Sequence, residues 1–377
     1  MTPDISTPVI APRKALAPHS LPLRVQSPML DAVVPEQVVL PRYRPGSGHP
    51  FAVLTDREGI GDILIKLPFL RWIERVYPDH PIWWIASYQS AMENLMRPYA
   101  GSQIVQVITG IRSLDGPGIA WAKLAELPPF SFVFDTRSRG LSVWIARKAL
   151  QYERYFSALP FYLLSDAQPP SQRQRPVLRW RRFLTLAEQA VGAPLDGTGT
   201  IPCSAQALAE AAKILPPGPR YVGIAPGSRD PNKNWPLGRF LDLAARLAND
   251  GLRPVLLIGP YEQKMLGAHQ DGVNGSVVIE LSDFPAVPMV GALDPALALS
   301  SRLSVMVAND AGMGHIAGGM GVPVVSLFGP TAADKMAPFC PDGIVVQAAH
   351  YGGRAMEAIP VSPVHEAVLR LLSRNSR

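Results

Sequence analysis

The sequence predicts an α/β protein made of two successive domains, each built on a parallel sheet. Three observations carry this expectation. From about residue 50 to 200, short apolar runs alternate with stretches of helical spacing, and after residue 200 the alternation starts again. Between the two series lies Gly192–Pro202 (GAPLDGTGTIP), a composition that reads as a linker. The run Val305–Thr331 (VMVANDAGMGHIAGGMGVPVVSLFGPT) is an apolar strand, a Gly-rich turn, a small-residue helix and a second strand. Its polar residues fall between the carboxyl end of a strand and the start of a helix, where open α/β sheets bind ligands. The architecture expected is two Rossmann-like domains facing across an interdomain cleft, with boundaries at 50–200 and 201–377.

Residues 1–49 are Pro-rich and without periodicity, and they are expected to form a flexible arm or surface strap. Pro50–Thr55 opens the ordered chain as a buried strand. In Asp62–Val76, Ile63, Leu67, Leu70 and Ile73 share one helical face, and Pro68 inside the pattern predicts a kink or a restart. Ile82–Ala86, Ile104–Ile108 and Phe132–Phe134 are further strands. Gln168–Arg182 reads as an exposed loop entering a helix at Trp180–Val191. In the second series, a helix at Ala205–Leu215 precedes a strand at Tyr221–Ala225. Pro236–Asn249 is a helix whose stripe is Phe240, Leu243, Ala244 and Leu247. Val255–Ile258, Val305–Ala308 and Pro323–Phe328 are strands, and Val361–Leu372 is a terminal helix.

Bulk properties narrow the classes. The chain has 377 residues, 47% hydrophobic and 18% charged, enough for two buried cores. No apolar run approaches the roughly 20 residues of a membrane span. The N-terminus lacks the apolar core of a signal peptide. Cys203 and Cys340 are far apart and match no metal spacing. A reduced, cytoplasmic protein is expected. The net charge of +6 is uneven: Arg137, Arg139, Arg147, Lys148, Arg154, Arg173, Arg175, Arg179, Arg181 and Arg182 are opposed within that stretch only by Glu153 and Asp166. Such a patch suits a phosphorylated substrate or an anionic membrane face, or is simply a solvated surface. No aromatic–basic interleaving of a nucleic-acid module is present.

Three turns carry candidate chemistry. Arg57-Glu58-Gly59-Ile60-Gly61-Asp62 follows the first strand and leaves Asp62 at the mouth of a helix. There its carboxylate can accept a proton from a hydroxyl, or merely cap the helix. Pro226–Pro236 (PGSRDPNKNWP) offers the Ser228 hydroxyl and the compact charge of Lys233, without the Gly-Lys-Ser/Thr of a Walker loop. In the third, Asp310, Gly312 and His315 surround a helix start whose free N–H groups favour an anion. Glu262, beyond the strand ending at Ile258, can bind a ribose hydroxyl or be an ordinary loop acid. An acid on one side of a cleft and phosphate-binding groups on the other is a layout for group transfer from a nucleotide-sugar.

These residues resemble the heptosyltransferase family of bacterial lipopolysaccharide synthesis, glycosyltransferase family 9, with the GT-B fold. The resemblance rests on Gly61-Asp62 with Pro68 and Leu70-Arg71. It continues in Pro226-Gly227-Ser228 with Lys233, Trp235-Pro236, Phe240 and Leu243-Ala244. The third block is Asn309-Asp310-Ala311-Gly312 with His315, Ala317, Gly321-Val322-Pro323 and Leu327-Phe328-Gly329-Pro330-Thr331. The resemblance implies Asp62 as general base, Ser228 and Lys233 at the donor phosphates, and Asp310, Gly312 and His315 in the loop holding sugar and diphosphate. It also implies an inverting single displacement without a metal or other cofactor. The implied partners are a nucleotide-sugar, ADP-heptose in the family, and a phosphorylated glycolipid acceptor in the first domain, at the inner membrane face. Ala311 departs from the Ser or Thr usual in the family, which removes a hydroxyl from the donor loop. A GT-B epimerase and a non-catalytic nucleotide-binding or polymer-assembly protein are the competing readings.

Overall fold

The computed structural model describes residues 24–26, 42–111, 117–170, 176–197, 201–259, 275–340 and 342–374. After a three-residue strand, β1 (Arg24–Gln26), the chain builds a first α/β unit. Its strands are β2 (Phe51–Thr55), β3 (Ile82–Ala86), β4 (Ile104–Ile108), β5 (Phe130–Asp135) and β6 (Tyr152–Ser157). Its helices are α1 (Ile60–Leu64), α2 (Leu67–Val76), α3 (Arg97–Ala100), α4 (Pro117–Ala125), α5 (Gly140–Ala149) and α6 (Arg179–Val191). The sheet order is β4-β3-β2-β5-β6, all parallel.

The second unit contains α7 (Ala205–Ile214), β7 (Tyr221–Ala225), α8 (Leu237–Asn249), β8 (Arg253–Ile258), β9 (Val277–Glu280) and α9 (Asp294–Ser300). It continues with β10 (Val305–Asn309), α10 (Gly312–Gly319), β11 (Val324–Phe328), α11 (Ala333–Met336), β12 (Asp342–Gln347) and α12 (Val361–Arg374). Its sheet runs β1-β12-β11-β10-β7-β8-β9, parallel except that β1 lies antiparallel along β12, with Arg24 opposite Ile344.

Fully buried runs explain the central strands. Every residue of β2, β5, β7, β10 and β11 is buried, as expected where helices cover both faces of a parallel sheet. Phe51, Phe132, Phe134 and Phe156 stack beneath α2 and α6, with Phe51 and Phe132 centroids 4.9 Å apart. In the second unit Trp235 meets Phe240 edge-on at 4.9 Å, joining the turn after β7 to α8. Each such ring contributes on the order of 1.5–3 kcal/mol by burial.

Pro68 has the effect its ring dictates. The helix breaks after Leu64 and restarts at Leu67, with Pro68 in the first turn where it costs no hydrogen bond. The helix expected at Trp180–Val191 runs from Arg179 to Val191, and Arg182, within it, is buried rather than exposed, donating to the carbonyls of Pro176 and Val177 at 3.3 and 2.9 Å. No helix among the described residues is long and apolar enough to cross a membrane.

Candidate active site

All strands of the two units except β1 end toward the cleft edge of their sheet, and each candidate turn follows one of them. β2 delivers Asp56–Gly59 and α1; β7 delivers Pro226–Pro236; β10 delivers Asp310, Ala311 and α10. The two units touch where α1 meets α10. A Cβ built on Gly61 would lie 2.8 Å from His315 Cδ2 and 3.2 Å from Nε2. The imidazole therefore rests directly on the Gly61 backbone, one residue from Asp62. Gly312 faces Ile60 in the same seam, its built Cβ 4.0 Å from the Ile60 Cβ.

Asp62 lies in the first turn of α1. Its Oδ2 accepts from the Gly59 N–H at 3.1 Å, and Arg179 Nη1 stands 3.6 Å from Oδ1. The capping role considered for this residue is thus present. The side chain is still 34% exposed, so the carboxylate is reachable from the cleft. Beneath it lies a network with no strong signature in the sequence. Glu58 is buried and accepts from Trp84 Nε1 and Ser90 Oγ, each at 2.8 Å, and forms an ion pair with buried Lys66. Lys66 also donates to the Asp62 carbonyl at 3.1 Å, anchoring the turn that presents Asp62. A lysine inside an apolar helical pattern normally snorkels to solvent, so only its buried acidic partner reveals this role.

A cleft of about 570 Å³ opens above this turn, lined among others by Asp56, Arg57, Asp62, Thr136, Arg139 and Arg179. Of the basic stretch, Arg137, Arg139, Arg179 and Arg182 line it, but they differ in how free their charge is. Arg137 is buried and bidentate on Asp135, Nε at 2.9 Å and Nη2 at 2.7 Å, and this carboxylate holds the guanidinium protonated far above its ordinary range despite burial. Arg147 pairs with Asp166 at 2.6 Å and Arg181 with Glu188 at 2.9 Å; Arg154 stacks on Tyr43. Arg139 and Arg179 remain on the cleft wall, and Arg57, over the Tyr88 ring, joins them. Arg173 and Arg175 lie outside the described residues. The patch is thinned, because Arg137, Arg147, Arg181 and Arg182 each have an acceptor of their own, and Asp135 sits just ahead of the stretch.

Across the seam, Lys233 Nζ lies 2.7 Å from Asp310 Oδ2, and Thr331 Oγ1 donates to the same oxygen at 2.7 Å. Asn309 ties the two turns together, accepting from the Trp235 N–H at 3.2 Å and donating to the Pro226 carbonyl at 2.7 Å. Ser228 Oγ accepts from the Asp230 N–H at 3.3 Å within its own turn. The N-cap of α10 is Ala311, which makes no side-chain cap, so no side chain of the cap residue satisfies the first N–H groups of that helix. His315 is only 7% exposed, and its Nδ1 finds no partner among the described residues. Burial lowers its pKa below 6.5, with Asp310 and Asp62 opposing and Lys233 reinforcing the shift. The ring is neutral at neutral pH, with one N–H to donate. Glu262 lies outside the described residues. No group of three or more His, Cys, Asp or Glu side chains with metal-ligating geometry occurs among the described residues.

This architecture, two parallel α/β units meeting at the carboxyl ends of their strands, is the GT-B fold. It is similar, with a TM-score of 0.61 at 17% identity, to a glycosyl transferase family 9 structure from Veillonella parvula, covering 87% of this chain and 100% of that one. It is also similar to the E. coli ADP-heptose LPS heptosyltransferase II, with a TM-score of 0.56 at 17% identity over 86% of this chain and 99% of the other. The E. coli heptosyltransferase WaaC, solved with ADP, gives a TM-score of 0.57 at 16% identity over 85% and 99%. Residues 146–357 match the family model for glycosyltransferase family 9 (heptosyltransferase). That span exceeds half of the chain, and the chain belongs to this family: it is a glycosyltransferase. Lipopolysaccharide heptosyltransferase 1 of Pseudomonas aeruginosa is 24% identical over 300 residues, 74% of this chain and 78% of that protein.

Proposed function

We propose that this chain is an inverting glycosyltransferase that moves heptose from ADP-heptose to a phosphorylated glycolipid acceptor of the lipopolysaccharide core. The observation that carries the reading is the seam at Gly61. It sets a reachable carboxylate, Asp62, beside the neutral imidazole of His315 and the Lys233–Asp310 pair. The names of the relatives support this choice of donor and pathway: they are lipopolysaccharide heptosyltransferases, one of them solved with ADP.

In this reading the acceptor hydroxyl oxygen attacks the anomeric carbon while Asp62 takes its proton. The bond from that carbon to the diphosphate oxygen breaks on the opposite face, and ADP departs. Its growing charge meets Lys233 and the first N–H groups of α10. Neutral His315 donates to a donor oxygen without presenting a second positive charge. Asp310, held by Lys233 and Thr331, keeps the lysine aimed at the diphosphate. Ser228 adds a hydroxyl at the phosphates, and Glu262 is assigned to the ribose. Arg57, Arg139 and Arg179 meet the acidic groups of the acceptor.

A thermal-shift panel of ADP, UDP, GDP and their sugars tests the donor assignment, since a ligand that binds only the folded state raises its apparent stability. ADP and ADP-heptose are expected to raise the melting temperature. Binding of no nucleotide would instead favour a protein that kept the fold without the reaction.

A further inference from the structure

Outside the cleft, the first unit carries an apolar surface that the reaction does not use. The three most exposed large apolar side chains among the described residues are Phe161 (69%), Leu141 (63%) and Leu163 (59%). The two exposed tryptophans, Trp144 (45%) and Trp121 (39%), lie with ring centroids 6.2 Å apart. Isolated exposed apolar residues are ordinary; a cluster of the largest ones is not.

Topology places this cluster at one edge. The strands of the first sheet are parallel, so the segments following β5 and β6 emerge on the edge that holds Asp62. Ser138 and Arg139 line the cleft, and α5 begins at Gly140, which puts Leu141 and Trp144 in its first turns beside the cleft mouth. Leu141, Trp144 and Lys148 are spaced i, i+3, i+7 and form one outward stripe. Trp121 reaches that stripe from α4. The turn after β6 is pinned to α5 by Arg147, which donates to the Leu164 carbonyl at 2.8 Å. Within that turn Phe161, Tyr162 and Leu164 adopt φ of 54°, 54° and 63°, a left-handed region disfavoured for residues with a Cβ. This backbone buries Tyr162 and turns Phe161 and Leu163 outward.

The charges around the cluster are mainly positive. Arg139 stands at the cleft mouth and Lys148 at the far end of the stripe. Lys123 is exposed on α4, its ammonium 3.2 Å from the Gly110 carbonyl. Among the described residues, of the acids nearby Asp166 is neutralised by Arg147, leaving Glu126 at the far end of α4. Exposed tryptophans and aliphatics bordered by lysine and arginine match the interface of an anionic bilayer.

We infer that Trp121, Leu141, Trp144, Phe161 and Leu163 form a surface that docks on anionic phospholipid and brings the cleft mouth to the plane where a lipid-anchored acceptor lies. The inference deepens the glycolipid-acceptor reading and rests on it for its purpose, but the surface can be tested without donor or acceptor.

The experiment is cosedimentation of the full chain with vesicles of phosphatidylethanolamine and phosphatidylglycerol, against vesicles of phosphatidylcholine alone. Binding is expected to the anionic vesicles, to weaken in high salt, and to fall roughly tenfold or more in the combined Leu141→Ser, Trp144→Ser, Phe161→Ser variant. Leu208→Ser with Leu369→Ser, on exposed positions of the second unit, serves as control and is expected to bind as the unaltered chain does. Brominated acyl chains are expected to quench the exposed tryptophans in the unaltered protein, a readout independent of whether the triple variant folds. Equal binding by the triple variant, or no binding by the unaltered chain, overturns the inference. So does loss of a self-associated species in the triple variant without any vesicle binding, since the face then joins two copies of this chain. Vesicle binding in a protein that binds no nucleotide upholds the surface while rejecting the transferase reading.

Discussion

Gly61→Ala probes the seam on which the account depends. The substitution adds one methyl group, which would stand 2.8 Å from His315 Cδ2. To restore the 3.4 Å of an ordinary contact, the imidazole or α1 must yield by about 0.6 Å. His315 is buried on a helix packed into the second sheet, so it has little room to give. Overpacking of this kind typically costs about 1–3 kcal/mol. Opposing it, Ala in place of Gly within α1 favours the helix by roughly 1 kcal/mol. The net loss of stability is therefore about 0–2 kcal/mol, a melting shift of a few degrees. Catalysis is more sensitive, because a misplacement of about 1 Å between reacting groups can cost on the order of 100-fold. A displacement of about 0.6 Å should lower kcat roughly tenfold, with the fold intact by circular dichroism. The assay is heptose transfer from ADP-heptose to a lipid A–core acceptor. A Gly61→Ala enzyme with unaltered kcat would show that the α1–α10 contact does not set the catalytic geometry.

Other expectations follow from single contacts. Lys233→Ala leaves the Asp310 carboxylate, among the described residues, with the Thr331 hydroxyl as its remaining side-chain partner and removes the positive charge proposed to meet the diphosphate; affinity for ADP by calorimetry should fall at least tenfold. His315 has its pKa lowered by burial, so below pH 6.5 the unfolded chain binds a proton that the folded chain refuses. Its contribution therefore makes stability fall as pH drops from 6.5 toward the depressed folded value. Urea midpoints at pH 7 and 5.5 should differ less in His315→Asn than in the unaltered protein. Asp135→Asn strands the buried Arg137 guanidinium without its charge partner; a loss of about 3–5 kcal/mol in chemical denaturation is expected.

The central strands were legible because parallel strands covered on both faces read as continuous apolar runs, as in Phe51–Thr55 and Val324–Phe328. The edge strand Tyr152–Ser157 carries no such signal, since its first half is exposed and holds Glu153 and Arg154. The candidate turns were legible because glycines and polar residues cluster at strand ends. The contact of His315 on Gly61 was not, because no local pattern encodes how two domains close on one another. The basic stretch was legible only as a count of charges: it does bring arginines to the cleft, but the fold hands Arg137 to Asp135 and Arg182 to backbone carbonyls, which no count of guanidinium groups shows. Lys66 and Glu58 escaped notice because a buried ion pair has no signature until both partners are seen inside.

The assignment of Asp62 as base is tested most directly by Asp62→Asn, which keeps the shape and an oxygen able to accept the Gly59 N–H. Single-turnover transfer from ADP-heptose should slow by about 100- to 10,000-fold, the range that general-base catalysis supplies. ADP affinity and melting temperature should stay close to those of the unaltered enzyme. A turnover within a few-fold of the unaltered enzyme, with ADP bound equally well, would contradict the account and place the base elsewhere in the cleft.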